Sequence, residues 1–183
     1  MKELIKLARL RLKDEIKIIR QNYLNVLTEL TVEEKAVLYW FTENGYEGLN
    51  QILRHNKGEK TPPFSILLDI ALKKLSSYNF IVYRGVRFTT SRLEKYQNAL
   101  ERNEPIIEHA FMSTSIRRQA ASQYGTIILR IFSKNGKLIE NISKFGINSP
   151  FNEREVLFTK GSKFLVLDIK EENPYFIITL EEI

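Results

Sequence analysis

A chain of 183 residues with 43% hydrophobic side chains has the size and apolar content of one domain with a substantial core. It has no cysteine, which excludes disulfide stapling and thiolate metal sites, and its two histidines, His55 and His109, show no ligand spacing, so no metal is expected. The formal charge of +6 is uneven, with 11 − 9 = +2 over residues 1–60, 9 − 5 = +4 over 61–125 and 8 − 8 = 0 over 126–183.

Residues 2–28 place Ile5, Ala8, Leu12, Ile16 and Ile19 at helical spacing among Lys, Arg and Glu, the pattern of an amphipathic helix that packs on the rest of the domain. Lys6, Arg9 and Arg11 interrupt each apolar run, so neither a signal peptide nor a membrane span is expected. A cytoplasmic protein, or one carried into a target cell by other machinery, follows. Thr31 and Glu34 form a capping box for a second helix, from residue 32 to about 43, with Gly45 placed as its stop. A third helix is expected over 46–54, a loop over 55–63, and a fourth helix over 64–77 through Ile66, Leu67, Ile70, Ala71 and Leu75. Residues 1–77 therefore read as a helical lobe.

At Asn79 the period changes. Phe80-Ile81-Val82-Tyr83 is rich in strand formers and ends in Arg84-Gly85. A partly helical excursion over 89–103 precedes a short strand over 109–112, closed by Ser113-Thr114-Ser115, and one or two helical turns over 117–124. Further strands are predicted over 126–132, 137–141, 153–158, 163–169 and 175–180. No crossover helices separate them, so the sheet is expected to be largely antiparallel and the class α+β. The whole reads as one domain, with residues 78–183 forming the β core.

Within the strand predicted over 153–158, Glu153 and Glu155 project to one face and Arg154 to the other, with the two carboxylates' Cα atoms roughly 6–7 Å apart. Like charges so close call for a cation or polar ligand between them. Taken alone the segment also reads as a solvated strand end. The basic middle third, carried mainly by Arg84, Arg87, Arg92, Arg102, Arg117 and Arg118, supplies forked guanidinium groups suited to the phosphates of a nucleic acid, a membrane surface or a small dianionic cofactor, and reads equally as scattered solvated charge.

Three features thus stand in chain order: Tyr83-Arg84-Gly85, Phe111-Met112-Ser113-Thr114-Ser115, and the run from Phe151 to Phe158 that holds Glu153-Arg154-Glu155. Together they resemble the three motifs of the Arg, Ser-Thr-Ser, Glu-x-Glu class of mono-ADP-ribosyltransferases, which includes actin-modifying bacterial toxins and vertebrate ecto-enzymes. The resemblance covers residues 31–183 and implies a two-sheet β core under the helical lobe, with NAD as substrate. It implies that Glu155 stabilises the oxocarbenium-like ribose and that Glu153 faces an arginine acceptor on a target protein. Ser113 would orient Glu155, while Thr114 and Ser115 would shape the strand end. Arg84 would fork onto the NAD phosphates, and Gly85 would let its backbone approach the nicotinamide amide. Tyr124 would stack on the nicotinamide ring, and Phe151 matches an aromatic that holds the target. Arg117 and Arg118 fall where a mobile phosphate-side loop is expected, though solvated surface explains them equally well.

The resemblance also implies a toxin or effector, with an immunity or inhibitor protein as a further partner. The related class with a histidine in place of Arg84 does not match. Two other outcomes stay open: water as main acceptor, giving an NAD glycohydrolase, and ADP-ribosylation of a nucleic acid. No basic strand interleaved with aromatics is present to stack bases, so nucleic acid is not an expected partner.

Overall fold

The computed structural model describes residues 1–183. Its first helical segment breaks where the apolar pattern predicted continuity. Helices α1 (Lys2–Arg11) and α2 (Lys13–Asn22) are separated at Leu12, whose φ/ψ of −116°/46° is not helical. Both pack on α3 (Val32–Trp40), a helix of nine residues and about 14 Å. A straight helix over the whole predicted stretch would outrun that surface, and the break at Leu12 keeps Ala8, Ile16 and Ile19 all buried.

The predicted capping box opens α3: Glu34 N donates to Thr31 Oγ1 at 3.3 Å and Thr31 N to Glu34 Oε2 at 2.8 Å. Gly45 does not stop this helix. A π-helical turn, Phe41–Gly45, carries the chain directly into α4 (Tyr46–His55). Gly45 has an ordinary right-handed φ of −82°, and a Cβ there would lie 2.6 Å from the Trp40 ring. This glycine is demanded by packing and not by a turn. Helix α5 (Pro63–Lys74) completes the N-terminal helices. No helix is long and apolar enough to cross a membrane.

Nine strands follow: β1 (Ser77–Tyr78), β2 (Ile81–Val86), β3 (Ile106–Glu108), β4 (Met112–Ser115), β5 (Ile127–Phe132), β6 (Gly136–Leu138), β7 (Glu155–Phe158), β8 (Ser162–Glu172) and β9 (Tyr175–Glu182). They form one sheet in the order β1-β6-β7-β4-β2-β5-β9-β8-β3, antiparallel except between β5 and β9. The largely antiparallel α+β expectation holds at this level. The two-sheet core does not: the strands are joined in a single hydrogen-bonded sheet. The join is narrow, because β2 and β4 share one residue pair, Tyr83↔Ser115, whereas β2 pairs with β5 over its whole length and β4 likewise with β7.

The Ser-Thr-Ser run lies inside β4 and does not close a preceding strand. The expected strand over 109–112 fails for a definite reason. The buried Asn50 side chain of α4 takes both backbone groups of Phe111, donating to its carbonyl and accepting from its N–H at 3.0 Å each, and so removes it from the ladder. The excursion over 89–103 is a full helix, α6 (Thr90–Arg102), capped by Thr89 and ended by Asn103 in the left-handed region. A short α7 (Arg118–Ser122) precedes β5.

Two apolar cores result. One joins the N-terminal helices to Ala110, Phe111, Ile139, Ile142 and Leu157. The other lies between the sheet and α6, around Tyr96, Val82, Leu129, Ile131 and Phe158. Asn50 sits where the first core meets β4. Replacing it by alanine leaves two buried backbone groups of Phe111 unpaired and is expected to cost about 2 kcal/mol or more. The check is a lower denaturant midpoint with an unchanged slope.

Candidate active site

A cleft of about 270 Å³ opens along the narrow join of the sheet. Tyr83, Arg84 and Gly85 of β2 and the three residues Ser113 to Ser115 of β4 form its floor, Glu155 stands at the start of β7, and Glu153 lies in the loop before it. Tyr46 and Asn50 of α4, Ala121 of α7, Tyr124 and Phe145 close the walls. Of the residues that the sequence nominates, Arg84, Gly85, Ser113, Thr114, Ser115, Tyr124, Glu153 and Glu155 all line this cleft. Phe151 does not. It is 80% exposed on the turn outside.

The two carboxylates meet in the cleft by a route other than the expected one. Strand β7 begins at Glu155, so Glu153 and Glu155 are not alternate residues of one strand. Arg154 between them has a φ of 47°, in the left-handed region that costs a side-chain-bearing residue roughly 1–2 kcal/mol. It is held there by its N–H on Asn152 Oδ1 at 2.8 Å and by its guanidinium on Glu140 at 3.4 Å. The turn at Arg154, and not pleat alternation, brings both acids to one cavity.

Glu155 is 5% exposed, and each of its carboxylate oxygens accepts a serine hydroxyl. Ser113 Oγ donates to Oε1 at 2.6 Å and Ser143 Oγ to Oε2 at 2.7 Å. Burial pushes the Glu155 carboxyl above its ordinary value, against the two serines, with Glu153 adding to the rise and Arg84 opposing it. Ser143 escapes sequence reasoning. It lies in a turn-rich stretch without a motif, and the one trace of its position is the spacing of Ile139 and Ile142, which form a single turn with Ser143 N on Ile139 O at 2.9 Å.

The other members of the Ser-Thr-Ser run serve the scaffold. Thr114 Oγ1 donates to Val156 O at 2.7 Å, while Ser115 Oγ donates to Glu153 O and accepts from Arg117 N. Gly85 packs so closely that a Cβ there would lie 1.8 Å from the Ala121 carbonyl oxygen. Only glycine admits α7 over β2 at this point.

Arg84 is half-buried, and one of its terminal nitrogens donates to Ser113 O at 2.5 Å. Burial depresses its guanidinium, opposed chiefly by Glu108. The same arginine also lines a second cavity of about 280 Å³ with Arg54, Arg87 and Arg92, where Glu108 pairs with Arg54 at 3.3 Å and Arg92 at 3.5 Å. Arg117 and Arg118 line neither cavity; Arg117 bonds Asn152 O at 3.2 Å and Arg118 pairs with Glu172 at 2.8 Å. Tyr124, 56% exposed at the cleft mouth, donates its hydroxyl to Glu153 Oε1 at 2.5 Å. Burial, and then that bond, push its phenol up to about 12.

A buried carboxylate clamped by hydroxyls, with an arginine on the floor and a second acid at the mouth, suits the stabilisation of positive charge that grows on a bound group, as glycosyl transfer requires. Sequence comparison is more specific: the chain belongs to the ADP-ribosyltransferase exoenzyme family, whose profile matches residues 19–182. A Mycobacterium avium protein that carries the name NAD(+)–arginine ADP-ribosyltransferase Mav is 32% identical over 145 residues, 77% of this chain and 16% of its own length. Vis of Vibrio splendidus, named for the same activity, is 25% identical over 173 residues, 84% of this chain and 66% of its own. The crystal structure of the ADP-ribosyltransferase HopU1 from Pseudomonas syringae pv. Tomato DC3000 superposes with a TM-score of 0.80 at 21% identity, over 94% of this chain and 87% of that one.

The raised Glu155 carboxyl has a consequence for stability. A carboxyl whose folded value exceeds its unfolded value of about 4.3 favours the native state when protonated. That contribution is full below pH ~4 and is lost as pH rises through the folded value, so at neutral pH the charged Glu155 opposes folding. Glu155→Gln is therefore expected to melt at a higher temperature than the parent protein at pH 7, with the margin shrinking below pH ~4. Thermal unfolding across that pH range checks it.

Proposed function

We propose that the chain transfers ADP-ribose from NAD to the guanidinium of an arginine on a target protein and releases nicotinamide. The observation that carries this reading is the unequal treatment of two acids in one cleft. Glu155 is buried and held on both oxygens, while Glu153 stands nearer the mouth with a single side-chain partner, Tyr124. A fixed anion suits a charge that grows on a sugar, and a freer one suits an incoming nucleophile.

In the reaction the bond between the ribose C1′ and the nicotinamide nitrogen breaks, and its electron pair leaves with nicotinamide. Because the pyridinium is already cationic, the leaving group becomes neutral without a general acid and the step needs no metal. Glu155 accepts a hydrogen bond from the ribose 2′-hydroxyl and stabilises the oxocarbenium-like transition state. A guanidinium nitrogen of the target attacks C1′ and gives its proton to Glu153. The products are nicotinamide, ADP-ribosylated arginine and one proton.

Arg84 lies between the two cavities, which suits a dinucleotide that crosses it, with the diphosphate on Arg84 and the Arg54, Arg87 and Arg92 chamber beyond. Gly85 lines the cleft beside Arg84, where its backbone would meet the nicotinamide amide. Tyr124 flanks the same end. Phe151, exposed on the turn two residues before Glu153, would offer an aromatic surface to the target protein. The names of Mav and Vis support arginine as acceptor. Membership of an exoenzyme family supports a toxin or effector role; delivery by other machinery and an inhibitor protein as counterpart are part of the proposal.

The test is incubation with labelled NAD and either a small guanidine compound or cell lysate. Glu155→Gln is expected to lower both nicotinamide release and labelling by at least about 100-fold. Glu153→Gln is expected to keep nicotinamide release and lose labelling. Label transfer that survives in both variants overturns the assignment, and nicotinamide release without any labelled acceptor identifies a glycohydrolase instead.

A further inference from the structure

Any carboxylate that must stabilise charge at one ribose carbon has to be held in a defined plane. The last torsion of a glutamate side chain is broad, so a hydroxyl on one oxygen leaves the group free to rock. Ser113, the residue named by the motif, bonds only Oε1. The other oxygen belongs to Ser143, far along the chain from Ser113 and on a segment that no motif marks.

The Ser143 hydroxyl has no latitude in how it points. Its oxygen accepts the N–H of Phe145 at 3.3 Å, so its single proton is left for Glu155 Oε2. The residue is 3% exposed, which removes water as a competing partner. Its backbone is fixed as well. Ser143 N bonds Ile139 O, and Ile139 N bonds Glu155 O, at 2.9 Å each, so serine and glutamate close a ring of hydrogen bonds through Ile139.

The neighbours extend this attachment in two directions. Lys144 N donates to Thr42 Oγ1 at 2.9 Å and its ammonium pairs with Glu43 at 2.7 Å, tying the segment to the π-helical turn. Phe145 O accepts from Glu153 N at 2.9 Å. One residue therefore touches the buried acid while the next but one holds the backbone of the outer acid.

We infer that Ser143 is a second positioning residue for Glu155, and that through it the loop joining β6 to β7, which carries Phe145, Phe151 and Glu153, is fastened to the carboxylate that serves the ribose. The inference rests on the role proposed for Glu155. It assigns that carboxylate two clamps from separate parts of the chain, one from β4 and one from the loop that faces the target.

The titratable groups around Glu155 are Glu153 from the loop, Arg84 from β2 and the neutral Tyr124 phenol at the mouth, and none of them is removed in a Ser143→Ala variant. Removal of the hydroxyl takes away a donor that favours the charged form, so the Glu155 carboxyl titrates at higher pH. The experiment has two readouts. Protein labelled with 13C-carboxyl glutamate is titrated by NMR, with Glu155→Gln identifying the resonance, in parallel with the pH dependence of nicotinamide release. In Ser143→Ala the Glu155 resonance is expected to titrate at higher pH, the acid limb of kcat to move the same way, and kcat at pH 7 to fall about tenfold while KM for NAD changes little.

Ser143→Cys, which keeps a weak donor of similar size, is expected to lie between the two and serves if the alanine variant does not fold. An unchanged Glu155 titration in a folded variant overturns the inference, as does an activity loss matched only by a lower melting temperature. A shifted titration in a protein whose parent form does not cleave NAD upholds the clamp and overturns the enzymatic reading instead.

Discussion

The burial of one carboxylate against two hydroxyls is the constraint on which the rest of this molecule turns. Glu155 could be placed in apolar surroundings more cheaply as glutamine, and burial shifts it toward the protonated form. Ser113 and Ser143 restore part of the preference for charge. Their positions require β4 to pair with β7 in the observed register and the loop after β6 to fold back over both. The outer acid, Glu153, hangs from the same loop through its backbone. Much of the β half of the chain can be understood as scaffolding for two acids with different freedoms.

The helices contribute at one point above all. Asn50 in α4 holds Phe111 by both backbone groups and so sets where β4 begins. The π-helical turn next to it supplies Thr42 and Glu43, which grip Lys144 on the loop. An insertion of this kind inside a helix is uncommon and is frequently found near functional sites. Here it faces the segment that holds the second serine clamp.

Most of the fold was legible in the sequence because its signals are local. The capping box at Thr31, the change of period at Asn79 and the Arg84-Gly85 and Ser-Thr-Ser motifs each announce themselves within a few residues. What stayed hidden depended on partners distant in the chain. The break at Leu12 answers to the length of α3, the displaced strand near Phe111 answers to Asn50, and Gly45 answers to the Trp40 ring. The shared face of the two acids was anticipated, but strand alternation was the wrong reason, since the left-handed residue Arg154 carries no sequence signature. Ser143 shows the same limit: a lone serine between apolar residues looks like any other until the backbone returns it to Glu155.

The single residue pair that joins β2 to β4 bears on mechanics. A sheet resists bending through its ladder, and here the ladder thins to Tyr83↔Ser115 beneath the place where a ligand would lie. The flanking strand groups are laddered more fully, so this joint is the thinnest link in the sheet. A compound wedged into that joint would pry the floor of the cleft apart without having to imitate whatever the cleft binds.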